Sequence, residues 1–222
     1  MLPLTQMFRR DKRAREELVK LIRSEREELV KLIRSELAQA LKRGSEEGYE
    51  FILDDAINDV WNSTRLQILS KGLDWEDIES QARVLQDYKK VLSILVWIHW
   101  DEWEHFKKTF LDHVDSNGQP DRTDEDLPFV ADPRFLRESQ RHEFLIRQYI
   151  FMPVVLAEES QYVNTDAEYN KQHRMPFLKS EIIGEGATGL VRKELVAAKH
   201  FHFQRGDSLN LTVSFSIPFR CQ

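Results

Sequence analysis

The sequence predicts a mainly α-helical chain that ends in a small antiparallel β fragment. Three observations carry this. An eleven-residue segment near the start is duplicated in helical phase, apolar residues at helical spacing continue as far as Phe151, and from Phe177 the period changes, with β-branched residues and closely spaced glycines.

The duplication is Arg15–Glu25, REELVKLIRSE, repeated without change as Arg26–Glu36. Eleven residues make three turns at about 3.67 per turn, so Leu18, Leu21, Ile22, Leu29, Leu32 and Ile33 stay on one face. Glu16 with Lys20, and Glu27 with Lys31, stand in the favourable i,i+4 order. A helix is predicted from about Asp11 to Arg43, stopped near Gly44. A third repeat fails, because Arg43 and Gly44 fall where Leu32 and Ile33 would recur. Such a helix is expected to pair with another, either a protein partner or a second copy of the chain, through that six-residue apolar face. Packing of the same face on the chain's own core is the competing reading.

Helical pattern resumes from Glu46 to Trp61, breaks at Asn62-Ser63-Thr64, and ends at Gly72. Asp74 is the predicted N-cap of the next helix, carried by Ile78, Ala82, Leu85, Leu92 and Leu95 as one long helix or two in succession. Trp97, Trp100 and Trp103, three apart, read as core or a docking surface. Asp115–Pro133, with Asn117-Gly118 and three prolines, reads as a loop. Phe135–Phe151 returns to helix and Pro153 closes it. Val154–Leu156 could form a short strand, and Glu158–Pro176 reads as a linker. The predicted organisation is therefore an amphipathic helix over 1–44, a helical region over 45–174 and a β fragment over 175–222.

Composition narrows the function classes. The net charge is −6 and the isoelectric point near 5.7. That argues against nucleic-acid binding, which needs a basic face to displace counterions. The basic run Arg9–Arg15 reads as the solvated start of a helix. The longest apolar stretch, Val91–Trp100, is far shorter than the roughly 20 residues a bilayer demands, so no membrane span is expected. Charges begin at Arg9 with no apolar signal core behind them. Cys221 is the one cysteine, which excludes an intramolecular disulfide and a cysteine-based zinc site. A cytoplasmic location fits, with a nuclear one left open.

The stretch that carries chemistry is Ile183-Gly184-Glu185-Gly186-Ala187-Thr188-Gly189-Leu190-Val191, which fits G-x-G-x-x-G-x-V. A dinucleotide-binding fingerprint needs a helix after the glycines. A kinase Gly-rich loop is instead a hairpin turn between two strands, whose bare backbone approaches ATP phosphates. Leu190–Ala198 reads as a second strand, so the kinase version fits better.

The run Met175-Pro176-Phe177-Leu178 followed by Ile182-Ile183-Gly184-Glu185-Gly186 resembles the start of kinase domains in a large group of fungal serine/threonine-protein-kinase-like proteins. The segment Leu92–Phe110, the Leu127-Pro128-Phe129 turn and Gln148–Val155 are similar to the helical region that precedes those domains. The likeness covers about residues 73–210. It implies that the β fragment opens a kinase N-lobe and that Ile183, Gly184, Glu185, Gly186, Ala187, Thr188, Gly189 and Val191 contact ATP. ATP is then the expected cofactor, weakly held, with magnesium only if the remaining kinase parts are supplied.

The departures bear on activity. Lys199, in Val196-Ala197-Ala198-Lys199, mimics V-A-I-K, but from position 191 to 199 there is no room for the rest of strand two, a turn and strand three. His173-Arg174-Met175 lacks the Asp of the catalytic loop, and Asp-Phe-Gly occurs nowhere. No catalytic residue is therefore assigned, and the chain reads as a truncated, inactive product. The alternative is a helical adaptor whose hairpin is inert. Two further candidates are weaker. Asp112–Asp124 departs from an EF-hand loop at its first and last ligands. His99, His105, His113 and His142 lack zinc spacing, so no metal site is expected.

Overall fold

The computed structural model describes residues 4–44, 50–113, 122–131, 135–157, 173–186, 189–202 and 211–218. Helix α1 (Leu4–Ala40) packs on α2 (Asp54–Val60), α3 (Ser63–Ser70) and α5 (Lys89–Trp97). Helices α4 (Ile78–Asp87) and α6 (Glu138–Arg147) pack on α5 from other sides. A short antiparallel pair, β1 (Lys42–Arg43) with β2 (Glu50–Phe51), turns the chain back after α1. Strands β3 (Leu156–Ala157), β4 (Phe177–Gly186), β5 (Gly189–Val196), β6 (Phe201–His202) and β7 (Leu211–Pro218) follow the helices.

Helix α5 sits at the centre because its run from Val91 to Val96 is apolar but for Ser93, and every one of those residues is buried. A helix buried on all sides still has orphan amides at its start and orphan carbonyls at its end. Remote side chains meet both. At the start, Asp124 accepts from the Lys90 amide at 2.9 Å and the Val91 amide at 2.8 Å. At the end, the Arg34 guanidinium of α1 donates to the Val96 carbonyl through Nε and one terminal nitrogen, at 3.0 and 2.9 Å. Inside, Trp61 Nε1 donates to Ser93 Oγ at 2.8 Å, and Ser93 Oγ donates to the Lys89 carbonyl.

The second repeat of α1 is what docks. Leu29, Ile33 and Leu37 lie in the core. Arg26 donates to the carbonyls of Leu69 and Lys71 at 2.7 Å each, closing the end of α3. Glu36 takes both terminal nitrogens of Arg65 at 2.6 and 2.7 Å, and Arg65 also donates to the Val60 carbonyl at the end of α2. Cations at helix C-termini satisfy orphan carbonyls and oppose the negative dipole end. Burial lowers the pKa of both Arg26 and Arg34. The hydrogen bonds that Arg65 donates to Glu36 raise its own pKa.

The first repeat has the same residues and almost none of these contacts. Leu18 is 54% exposed where its counterpart Leu29 is 7% exposed. Leu21 and Leu32 are exposed in both copies, and Ile22 is half-buried. The predicted six-residue face is thus divided: Leu29 and Ile33 serve the core, while Leu18, Leu21 and Leu32 face solvent.

Several boundaries differ from expectation. Helix α1 starts earlier and stops at Ala40, where β1 takes over. The predicted helix from Glu46 is confined to α2, with Glu50–Phe51 in a strand and 45–49 outside the described residues. The break at Asn62 is real, and Asn62 caps α3 by accepting from the Arg65 amide. Asp77, not Asp74, caps α4 through the Ser80 amide at 2.8 Å. Ile78 and Ala82 face outward, and Val84 and Tyr88 take the inner positions. Of the two forms expected, one long helix or two in succession, the chain takes the second, with α4 and α5 meeting at Tyr88. Trp100 and Trp103 are core, stacked edge-to-face at 4.9 Å, with Phe135 5.0 Å from Trp100. Within the predicted 115–133 loop, Asp124–Asp126 forms a single 3-10 turn held by a Thr123 capping box.

Two outcomes follow from this packing. Leu29→Ala should cost about 2–4 kcal/mol in urea unfolding, and Leu18→Ala, in identical local sequence, less than about 0.5 kcal/mol. Equal costs would refute the one-sided docking of the repeat. Burial raises the Asp124 carboxyl from 3.8 to about 6. A raised folded pKa means that the group favours the fold when protonated and loses that contribution as pH rises. Relative to Asp124→Asn, the wild type should lose stability between pH 4 and pH 6, by up to about 2 kcal/mol and less as far as solvent screens the carboxyl. A pH-independent difference would contradict this.

Candidate functional site

The glycine-rich segment lies in a three-stranded meander, antiparallel in the order β4-β5-β7. Alternating and β-branched residues from Phe177 favour strand over helix here. Gly186 pairs with Gly189, the last pair before the chain reverses, and Glu185 pairs with Leu190. Ala187 and Thr188 themselves lie outside the described residues.

Of the predicted contact residues, Ile183 and Glu185 are exposed, Gly184 and Val191 half-buried. The register shifts between Ile182 and Gly184, a bulge that places the exposed pair Ile182 and Ile183 beside the glycine. A Cβ built on Gly184 would meet Val191 Cβ at 3.9 Å, an ordinary contact. Packing within the hairpin therefore does not demand glycine at 184.

The residues that resemble catalytic motifs have other partners. Lys199 lies in the turn after β5 with φ of 64°, and its Nζ reaches both carboxylate oxygens of Asp55 on α2 at 2.7 and 2.8 Å. The third strand is β7, and its sequence LTVSFSIP holds no lysine. Opposite Val191 it places Ser216. His173 packs edge-on against Tyr149 at 5.4 Å, and the Arg174 carbonyl accepts from the Val154 amide at 2.9 Å. Asp124, the last position of the EF-hand-like stretch, spends both oxygens on α5. Among the described residues no three metal-ligating side chains gather, and no helix is long and apolar enough to cross a membrane.

A junction of which the sequence shows only the short strand expected at Val154–Leu156 mounts the hairpin on the helices. Strand β3 runs parallel to β6, and the Ala197 amide donates to the Pro176 carbonyl at 2.9 Å. Val154, Leu156, Val196 and Phe201 form a second small core, with Met175 and Phe177 against it. His200 is buried beside the Val154 carbonyl at 3.3 Å, and desolvation lowers its pKa. Beside this core stand the Lys199–Asp55 pair and a Lys90–Asp54 pair at 2.9 Å. The two aspartates are adjacent at the start of α2, and the partner of the second lies far along the chain.

The chain matches no protein-family profile, no curated protein and no solved structure.

Proposed function

We propose that this chain is a protein-kinase-like polypeptide whose helical region carries the opening hairpin of an N-lobe, and that the hairpin contacts ATP without transferring phosphate on its own. The observation that carries the reading is the pairing of Gly186 with Gly189 between two antiparallel strands. A dinucleotide fingerprint would run into a helix there. In a kinase-like hairpin the glycines let backbone amides approach phosphate oxygens, and a third strand beside the second supplies a lysine. The strand that pairs with β5 here is β7, whose sequence holds no lysine. With Asp-Phe-Gly and the catalytic-loop Asp absent from the sequence, metal positioning and base catalysis are missing too. Nucleotide binding then rests on a few backbone donors. Each decade of lost affinity is about 1.4 kcal/mol, so a dissociation constant in the millimolar range is expected.

The test is calorimetry with ATP and magnesium, together with incubation with labelled ATP and generic protein substrates. Millimolar binding that Gly186→Val abolishes, and transfer at background, support the proposal. Absence of binding at several millimolar removes the nucleotide reading. Turnover abolished by one substitution in this chain would overturn the claim of inactivity.

A second reading, a helical adaptor that self-associates through α1, is favoured by one observation: Leu18, Leu21 and Leu32 are each half or more exposed along a single helix. Because Leu21 and Leu32 lie outside the core, Leu21→Asp with Leu32→Asp should leave circular dichroism unchanged and abolish any oligomer in light scattering. A wild type that stays monomeric at high concentration removes this reading.

A further inference from the structure

We infer that α1 carries two interchangeable docking sequences for one seat on the helical region, and that Leu37 decides which of them is used. The seat is built by the ends of α2, α3 and α5. It takes Leu29 and Ile33 into the core, Arg26 onto the Leu69 and Lys71 carbonyls, Arg34 onto the Val96 carbonyl and Glu36 onto Arg65. Each of these five residues has an identical counterpart eleven positions earlier: Leu18, Ile22, Arg15, Arg23 and Glu25. Sliding α1 by eleven residues moves it about 16 Å along its axis and turns it by only about 20°. The first repeat would then present the same groups to the same seat.

The copies differ just beyond their ends. Leu37, fully buried, follows the second repeat, and the residue in the same place after the first is Arg26. Burying an unpaired guanidinium there is prohibitive. Ala40 and Leu41 would give way to Leu29 and Val30, apolar in both registers, and Asp11 would replace the half-buried Ile22. The connection to Glu50 would lengthen by eleven residues, and loop closure grows only with the logarithm of length. The freed turns cost little, since isolated helix is marginal in water. Leu37 against Arg26 is therefore the main lock on register.

A double-substitution cycle reads the lock directly. Leu37→Arg should lower the urea midpoint strongly. Arg26→Leu in the wild-type background should lower it slightly, through the lost bonds to Leu69 and Lys71. In the Leu37→Arg background the same Arg26→Leu should raise it, because the slipped helix then places leucine in the core. Residues this far apart and not in contact otherwise add. Adding Leu18→Asp, neutral in the wild type, should erase the gain. If Leu37→Arg does not fold, Leu37→Ala in its place should give the same signs. Spin labels at Lys20→Cys and Glu79→Cys, with Cys221→Ser, should report a changed distance in the Leu37→Arg/Arg26→Leu chain. Additive losses, a gain that survives Leu18→Asp, or an unchanged label distance would overturn the inference.

Discussion

Helix α5 can be buried on every side only because two distant side chains satisfy its ends. Asp124 takes the Lys90 and Val91 amides near its start, and Arg34 joins the His99 amide on the Val96 carbonyl near its end. A buried orphan amide or carbonyl costs about as much as a lost hydrogen bond, and several would outweigh the apolar gain of the helix. The turn at Asp124–Asp126 is therefore fixed in place. The second repeat of α1 is fixed likewise, because Arg34 belongs to it. Arg26 and Arg65 repeat the device at the ends of α3 and α2. These cappings by remote groups hold a set of short helices that would be marginal alone.

The same frame positions the hairpin. The start of α5 carries Lys90, which pairs with Asp54, and the next residue, Asp55, holds Lys199 in the turn between β5 and β6. Around this sit the β3–β6 pair and the small apolar core of Val154, Leu156, Val196 and Phe201. Gly186 and Gly189 stand at the opposite end of β4 and β5 from this junction, so the hairpin is anchored at its base and not at its glycines. Backbone amides placed there can meet a ligand without competing with the packing that mounts the strands. The same anchoring takes Lys199 out of any role at the glycines.

Much of the architecture is legible in the residues. The repeat, the break at Asn62, the loop prolines and the change of period at Phe177 all show up because local chemistry decides them. The errors lie where one residue in three shifts a helical phase. Helix α4 is capped by Asp77 rather than Asp74, and it turns Val84 and Tyr88 to the core while Ile78 lies in solvent. The division of the repeat has no trace in either copy, since the two are identical and only their neighbours differ. Nor is the Lys199–Asp55 pair of the junction legible, because the two are 144 residues apart. At the candidate site the glycine spacing is sufficient to expect a hairpin, and counting residues from Val191 keeps Lys199 out of a third strand. No contact in the hairpin demands glycine at 184, since a Cβ there would meet only Val191 Cβ at 3.9 Å.

The claim that the hairpin tip meets nucleotide is tested most directly by amide-resolved NMR during an ATP titration. Concentration-dependent shifts are expected at Gly184, Gly186 and Gly189, with the amides of α1 and α5 unmoved. Shifts confined to the helical region, or none at millimolar ATP, would contradict it.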